Sequence, residues 1–402
     1  MAIRKDFCQD YDIERVREER ARYAANRAYW KEHRFQSNAK IKEVVIPEGI
    51  ISIPQRAFAG CINLRSVTLP ESMTAIYQGA FQGCEKLEEI NLPNSITSIG
   101  ENERFVSPAD EYAMDYHAYG YFFDTWLIGH GGAGTFKGCA SLKSIRIPDG
   151  VKRILPETFY DCTKLESVHI PDGVQSIEYG TFKNCTSLKE IVLPEGLESI
   201  GVSAFENCWS LTKIHIPSAV TLISDRAFAD CTSLASIHIP EGVNAATKSA
   251  FEKTRWLINH PEGCIIVGIV LIKYKGSESS VNIPDHVESI GKGAFQGCKN
   301  LETVVIPDSV TYIGDGAFDD CYGLSSVTIY DMTLKADTLD RIRKIGISIS
   351  KALSVIAGGD VTGYNNDVVR ALFSLYPEDE TMLEFIHLHR DRIMGKQKKK
   401  RR

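Results

Sequence analysis

Cysteines are the residues of this chain whose type and spacing most suggest chemistry. Nine of the eleven follow one pattern, 23 residues apart within each run, namely Cys61, Cys84, Cys139, Cys162, Cys185, Cys208, Cys231, Cys298 and Cys321. Thiolates can bind metals or form disulfides, but the sequence contains no Cys-x-x-Cys pair. One cysteine per repeat instead predicts a column of buried thiols that satisfy loop carbonyl groups. Cys8 and Cys264 lie outside the pattern and are expected to be the more reactive thiols.

Histidines form a second candidate site. His215 and His238 are expected on adjacent strands about 5 Å apart, close enough to share one cation. Lys213 extends from the same strand as His215, and no third ligand is evident, so a polar column that faces a ligand is favoured over a metal site. His387 and His389 point to different sides of a predicted helix and make a poor chelate. We therefore predict neither a metal nor a cofactor.

A glycine-rich segment, GHGGAG at 129–134, has the composition of a phosphate-binding loop. It is followed by TFKG and lacks the Gly-Lys-Ser/Thr end that such a loop requires. Most candidate nucleophiles and bases also fall in structural positions of a repeat, so no catalytic group of nucleophile, base and orienting residue emerges. The sequence therefore predicts a protein that is not an enzyme.

A 23-residue repeat must position all of these residues. One unit, from Pro171 to Leu193, reads PDGVQSIEYGTFKNCTSLKEIVL, and ten units fill the same frame. The segment Leu-x-x-Ile-x-Ile predicts a short strand, which the following proline ends because proline has no amide hydrogen. Phenylalanine occupies one interior position in all ten units: Phe58, Phe81, Phe136, Phe159, Phe182, Phe205, Phe228, Phe251, Phe295 and Phe318. Each turn leaves two faces open, so only stacking closes the core.

These residues resemble the BspA-like class of bacterial leucine-rich repeats, whose units carry the signature A-F-x-x-C-x-x-L-x-x-I-x-I-P. The resemblance covers about residues 41–330 and implies a curved solenoid with a parallel sheet on its concave side. Family members are typically surface or secreted proteins that bind proteins of a host or a neighbouring cell. The first 20 residues of this chain lack the apolar stretch of a secretory signal. A cytoplasmic location is therefore expected, with a cell-surface adhesin exported by an unrecognised route as the alternative.

The repeat region, residues 41–330, is expected to lie between two helical ends. Residues 1–40 show a charged helical pattern, and residues 331–395 predict further helices. Both ends are expected to act as caps, because an open solenoid end exposes apolar core and strand edges. The predicted fold class is thus a repeat solenoid, a leucine-rich repeat of mainly short parallel β-strands with α-helical N- and C-terminal caps. A nucleic-acid or enzymatic role of the C-terminal helices is a further alternative.

Two interruptions break the repeat, near residues 101–132 and 255–280. The later one contains GCIIVGIVLIKYKG, two apolar runs around Gly268, and predicts a hairpin that lies against the rod. BspA-like proteins often carry a similar interruption, which favours a structural role. The earlier one holds eight aromatic and six acidic residues. It is either a binding surface or a segment that packs its own aromatic side chains onto the solenoid.

Charge is distributed unevenly along the chain. The net charge is +3 for residues 1–40, +4 for residues 331–402 and −13 for residues 41–330. The acidic middle would not attract a phosphate backbone. The basic tail at 396–402, KQKKKRR, weakly suggests contact with nucleic acid or an anionic membrane, or serves only solubility. The chain has no run of 18 or more apolar residues, so we predict no transmembrane segment.

A protein partner, bound to the concave strand face and the earlier insertion, is the function that the sequence favours. Specific interfaces usually combine aromatic anchors with a polar surround. The predicted aromatic anchors are Tyr112, Tyr116, Tyr119, Tyr121 and Trp126, and the predicted polar contacts are Glu89, Asn91, Arg146, His169, His215 and His238. The expected activity is therefore that of a non-catalytic interaction scaffold.

Overall fold

The computed structural model of the chain describes residues 13–102, 134–329 and 332–335. The fold is a leucine-rich-repeat β-solenoid of about eleven turns, with short parallel strands and little helix. It divides into two compact units. Unit 1 comprises Met1–Pro217, Arg226–Ile237 and Lys253–Arg255, and unit 2 comprises Ser218–Asp225, His238–Glu252 and Trp256–Arg402.

Short strands carry the repeat. The first eleven are β1 (Glu43–Val45), β2 (Ser52–Ile53), β3 (Ser66–Thr68), β4 (Ala75–Ile76), β5 (Glu89–Ile90), β6 (Ser98–Ile99), β7 (Ser144–Arg146), β8 (Ser167–His169), β9 (Ser176–Ile177), β10 (Ser199–Ile200) and β11 (Lys213–His215). The next are β12 (Leu222–Ile223), β13 (Ser236–His238), β14 (Ala245–Ala246), β15 (Gly263–Val267), β16 (Val270–Lys275), β17 (Ser280–Asn282), β18 (Ser289–Ile290), β19 (Thr303–Ile306), β20 (Tyr312–Ile313), β21 (Ser326–Ile329) and β22 (Met332–Lys335). The helices are α1 (Ile13–Glu32) and α2 (Arg255–Asn259), with a 3-10 helix at Lys248–Phe251.

Unit 1 contains two sets of parallel strands. The first set has the predicted Ile-x-Ile strands: β1 pairs with β3, β3 with β5, and β7 with β8. The second set comes from the Val-x-x-Ile segment: β2 pairs with β4, β4 with β6, and β9 with β10. The pattern of that segment does not predict strands, because two residues per strand are too few to show a period-2 alternation.

A column of phenylalanine rings fills the core of unit 1. Neighbouring rings from Phe58 to Phe228 lie 5.2–5.6 Å apart between centroids and are inclined by no more than 14°. These rings are fully buried. Parallel rings at this spacing are offset, which is a favourable arrangement worth about 0.5–1.5 kcal/mol per pair beyond burial. The predicted interior position of phenylalanine is thus confirmed in this unit.

The cysteine column is confirmed for eight of its nine members, whereas Cys298 is only half-buried. Seven of its thiols donate to the carbonyl oxygen of a phenylalanine one turn earlier at 3.0–3.2 Å: Cys84, Cys139, Cys162, Cys185, Cys208, Cys231 and Cys321. Cys61 makes the same bond to Phe35 at 2.9 Å. All ten described cysteines are free thiols. Thr254 takes the cysteine position in its turn and is fully buried.

Helix α1 packs on the first turn through a few specific contacts. The Asn26 side chain donates to the Ser52 hydroxyl at 2.9 Å and accepts from the amides of Ile51 and Ser52 at 3.2 Å. Trp30 donates to the Ser52 carbonyl oxygen at 2.8 Å, and its ring lies 5.8 Å from that of Phe58 at 83°. The predicted C-terminal helices and the basic tail lie outside the described residues.

In unit 2, the segment around Gly268 forms the predicted hairpin but not in the predicted place. Strands β15 and β16 are antiparallel, and Gly268 turns between them with φ of 58°. A Cβ atom at Gly268 would collide with the carbonyl oxygen of Val243. Strand β16 does not lie against the rod, because it pairs in parallel with β18 and so forms part of the stack. It supplies a turn that the ten-unit frame omits, since this segment carries no phenylalanine or cysteine at the repeat positions.

The strand pattern of unit 2 also continues beyond Ile329. Strand β22 pairs with β21 in the antiparallel sense, with Met332 opposite Ile329. The sequence pattern predicted helices directly after Ile329. Strand β22 is a single antiparallel strand and does not begin a new repeat unit. The 23-residue pattern therefore did not predict it.

Candidate functional site

The first set of strands in unit 1 presents one exposed row of side chains on each side of a buried residue. In β7, β8 and β11 the middle residue is buried and its two neighbours are exposed. We call the outward residues of β1, β3, β5, β7, β8 and β11, with the residue after β5, the strand face. The inward position is always Val or Ile, whereas the outward positions are mostly polar and include Ser, Thr, Glu, Asn, Arg, Lys and His, with Val45 as an exposed apolar residue. The buried residues therefore fix the positions of a varied and mainly polar set of outward side chains.

Several predicted polar contacts lie on this strand face. Glu89 is exposed on β5, and Asn91 is exposed directly after it. Arg146 on β7 is paired in register with His169 on β8. His215 is exposed at the end of β11. Period-2 alternation thus placed these side chains correctly, while their role in binding stays a prediction.

Asp149 joins two of these residues, although it was not among the predicted contacts. Its Oδ1 atom lies 3.3 Å from Arg146 Nη2 and 3.7 Å from His169 Nε2. All three side chains are at least 45% exposed, so solvent screening limits each contact to less than about 1 kcal/mol. The repeat frame does carry a signal for Asp149, because the residue after each repeat proline is acidic in most units.

The structure does not describe a cation site formed by His215 and His238. His215 belongs to unit 1 and His238 to unit 2, so their predicted proximity stays untested. Across residues 13–102, 134–329 and 332–335, no three His, Cys, Asp or Glu side chains gather closely enough to hold a metal ion. A polar column that faces a ligand remains the interpretation of both residues.

The aromatic residues of the earlier insertion, Tyr112, Tyr116, Tyr119, Tyr121 and Trp126, lie outside the described residues. The structure does describe both ends of this turn. Glu101 accepts a backbone hydrogen bond from Gln78 at 3.1 Å, and Gly134 is buried. The rings of Phe81 and Phe136 stack at 5.4 Å and 2°, as in the neighbouring turns. The turn that carries the insertion therefore has the same core geometry as a turn without one.

A partly buried ionic network in unit 1 includes residues that directly follow the phenylalanines of the repeat. The Glu206 side chain is 8% exposed and pairs with Lys183 at 3.0 Å and Arg226 at 2.8 Å. Burial alone would raise the pKa of Glu206, but hydrogen bonds from Arg226, Ser203 and Lys183 outweigh it and lower the pKa to about 2. Lys183 and Glu206 occupy the same repeat position in successive units, so the 23-residue frame could have revealed the pair.

Burial disfavours the thiolate form of the cysteines. Burial raises the pKa of Cys185 and Cys139 well above the usual range of a thiol. Burial also raises the pKa of Cys264 to about 11. Cys264 is only half-buried, in contrast to Cys139 and Cys185, so the expectation that it reacts more readily than the column thiols stays a prediction. Cys8 lies outside the described residues.

A membrane-spanning element is not found in the part of the chain that the structure describes. No helix there is long and apolar enough to cross a bilayer. Helix α1 has the length, with 20 residues, but it is rich in Arg and Glu.

Comparison with known proteins gave one family and several solved structures. A model of the BspA type leucine rich repeat region matches in six copies, over residues 30–106, 131–259 and 272–340. A leucine-rich repeat protein from Bacteroides ovatus is 22% identical, with 73% of this chain and 80% of that chain covered and a TM-score of 0.38. A leucine rich repeat protein from T. pallidum is 23% identical, with 53% and 77% covered and a TM-score of 0.35. A leucine rich cell surface protein from Faecalibacterium prausnitzii is 21% identical, with 72% and 79% covered and a TM-score of 0.31. The comparison with curated proteins gave no match.

Proposed function

This chain belongs to the BspA-type leucine-rich repeat family, a class that typically mediates protein interactions, and from that premise we propose that it is a non-catalytic scaffold for a protein partner. The partner contacts the strand face of unit 1 and, as a second surface, the insertion at 101–132. The contrast between constant buried positions and varied exposed positions in β7, β8 and β11 is the observation that carries this proposal.

The strand face supports the proposal because its side chains stand on a rigid frame. The phenylalanine rings beneath it repeat at 5.2–5.6 Å, and the thiols bond from turn to turn. A surface that is already ordered loses little conformational entropy when a partner binds. Arg146, His169 and Lys213 then offer hydrogen-bond donors at fixed spacing on this frame.

The insertion at 101–132 is proposed as a second binding surface because of its amino-acid sequence. Tyr and Trp are the residues most enriched among interface hot spots, and this segment has five of them besides its phenylalanines. The alternative, that the segment packs its aromatic side chains onto the solenoid, predicts a loss of stability rather than of binding when the segment is removed.

The domain organisation and the location are part of the same proposal. We assign residues 1–40 as an N-terminal cap, residues 41–330 as the solenoid, residues 331–395 as a C-terminal region that begins with strand β22 and continues in helices, and residues 396–402 as a basic tail. The contacts of Asn26 and Trp30 with the first turn support the first assignment. A cytoplasmic location stays a prediction, and fractionation of the native host tests it.

Charge reversal on the strand face tests the scaffold function. The variants are Arg146→Glu and Lys213→Glu, with Lys164→Glu as an exposed control away from the strands. Each immobilised protein is exposed to an extract of the native host, and the retained proteins are quantified by mass spectrometry. We expect a partner that the wild type and the Lys164→Glu control retain equally and that the strand-face variants retain less. Equal retention by all four proteins would place the binding surface elsewhere.

A further inference from the structure

A cavity of about 270 Å³ opens on the strand face of unit 1. Its lining comes from the ends of β3 and β5 and from the residues that follow these strands. The residues that matter for its chemistry are Thr68, Leu69, Glu71, Asn91, Leu92 and Asn94. Thr68 and Asn91 occupy equivalent outward positions in successive turns, so the cavity is part of the strand face.

The cavity lies where the pairing of two strands ends. Strands β1 and β3 pair over three residues, up to Val45 opposite Thr68. Strands β3 and β5 pair over two residues only, and their pairing ends with Val67 opposite Ile90. The residues that line the cavity lie at and directly beyond this last pair.

Two leucines form an apolar floor in this space. Leu69 and Leu92 stand directly before a repeat proline and are both half-buried. The residues at the same position in the other turns of unit 1 are buried to 5% exposure or less: Ile46, Ile147, Ile170, Leu193 and Ile216. The apolar surface that those turns bury in the core is thus accessible at Leu69 and Leu92.

The size of the cavity suits a single side chain. A benzene-sized cavity in a protein measures about 150 Å³. Sites for small-molecule ligands and cofactors usually begin at about 300 Å³. A volume of about 270 Å³ lies between these two values and accommodates one aliphatic side chain with part of its backbone.

The rim supplies hydrogen-bonding groups and negative charge. Thr68, Asn91 and Asn94 are exposed and offer both donors and acceptors to a peptide backbone. Glu71 is an exposed carboxylate of the lining, and its backbone amide donates to Glu48 Oε1 at 3.2 Å, which brings a second carboxylate to the same side. These two carboxylates place negative charge at the rim, and complementary charge on a partner would be positive.

We propose that this cavity is the anchor subsite of the strand face, where one aliphatic side chain of an extended protein segment inserts while an adjacent Lys or Arg of that segment pairs with Glu71. The inference rests on the proposed scaffold function and adds the chemistry of the partner. An apolar anchor in a pocket, surrounded by polar contacts, is the arrangement that concentrates binding energy at interfaces.

Three blocked peptides of the same length test the proposal on the full chain. They are acetyl-GSKLKSG-amide, acetyl-GSKSKSG-amide and acetyl-GSELESG-amide. Binding is measured by calorimetry and by the NMR shifts of the Asn91 and Asn94 side-chain amides. We expect the first peptide to bind at least tenfold more tightly than the other two and to shift both amides. Equal affinities, or shifts confined to other residues, would overturn the proposal.

Filling the mouth of the cavity provides the matched comparison. Thr68→Trp is expected to abolish binding of the first peptide. Val192→Trp changes the equivalent outward position of a turn whose leucine, Leu193, is buried, and it should leave binding unchanged. Asn91→Trp repeats the test from the other strand in case Thr68→Trp does not fold. If the tryptophan variants bind as the wild type does, the cavity is not the anchor site.

Two further outcomes separate this inference from the proposed function. If the shifts of Asn91 and Asn94 change with protein concentration in the absence of peptide, a second copy of the chain occupies the cavity and the proposal fails. If the peptides show no preference while Arg146→Glu still loses the natural partner, the cavity assignment fails and the scaffold function stands.

Discussion

The ring of Tyr274 packs 5.3 Å from the ring of Phe295, where a regular turn would place a phenylalanine. Tyr274 is 6% exposed, and its strand β16 continues the stack through pairing with β18. The tyrosine thus completes a turn that has neither the phenylalanine nor the cysteine of the repeat. Its packing makes the hairpin part of the core of unit 2 rather than an addition to it.

Removal of the Tyr274 ring should therefore destabilise the protein. We expect Tyr274→Ala to lower the free energy of unfolding by about 3–5 kcal/mol, the usual cost of deleting a buried aromatic ring. Tyr274→Phe should cost less than about 1 kcal/mol because it keeps the ring. Urea unfolding measures both, with Tyr312→Ala as the control because Tyr312 is 52% exposed. A loss no larger than that of the control would show that the hairpin is peripheral.

Glu206 should make stability depend on pH. Its pKa is about 2 in the folded protein, below the usual value of 4.5, so its contribution is fully present above about pH 6. The contribution is lost as the pH falls through 4.5 towards 2, and the lowered pKa corresponds to about 3 kcal/mol at most. Glu206→Gln should thus lose about 1–3 kcal/mol of unfolding free energy at pH 7 and much less at pH 3.

Urea unfolding at both pH values measures this difference. Glu195→Gln, at an exposed carboxylate in the same unit, is the control and should change little at either pH. A deficit of Glu206→Gln that is the same at pH 7 and pH 3 would mean that the ionic network does not stabilise the folded state.

Thiol accessibility should separate the folded from the unfolded protein. At pH 8 a thiol with a pKa of about 11, such as Cys264, is only about 0.1% thiolate. We expect a thiol reagent to label the native protein quickly at no more than two or three sites, and most of the eleven cysteines only after denaturation. Intact mass before and after reduction is the companion measurement. Several disulfides in the native protein would contradict the cysteine column.

Replacement of residues 101–132 by a short Gly/Ser loop should leave a cooperatively folded solenoid. The stack of Phe81 on Phe136 has the same geometry as that of Phe58 on Phe81, so this turn closes without help from a special core. Partner affinity should fall by about 2 kcal/mol or more, tens-fold, when an aromatic anchor such as Trp126 or Tyr116 is lost. Arg146→Glu should have a smaller effect.

The opposite pattern would identify the insertion as structural. The loop replacement would then melt early or aggregate, while Tyr116→Ala and Trp126→Ala would bind the partner as the wild type does. Thermal unfolding and partner binding, measured on the same preparations, distinguish the two cases.

Much of the fold follows from the sequence because the repeat fixes a register. Once Phe58 and Phe81 are known to share a position, their stacking follows, and period-2 alternation places Arg146 and His169 outside. The repeat pattern did not predict the position of Tyr274, because its turn lacks the phenylalanine and the cysteine of the repeat. The repeat also could not distinguish the half-buried Leu92 from the buried Leu193, since both are leucine before proline.

The thiol bonds have a direction, and this direction bears on how the chain is made. Cys84 donates to Phe58 and Cys162 to Phe136, so each thiol bonds backward, to a turn that is earlier in the sequence. A ribosome delivers the turns in the same order. Each emerging turn can therefore find the acceptor for its thiol already in place, and α1, through Asn26 and Trp30, offers the first template. Growth by addition of single turns, without waiting for the rest of the chain, is the assembly that this arrangement favours.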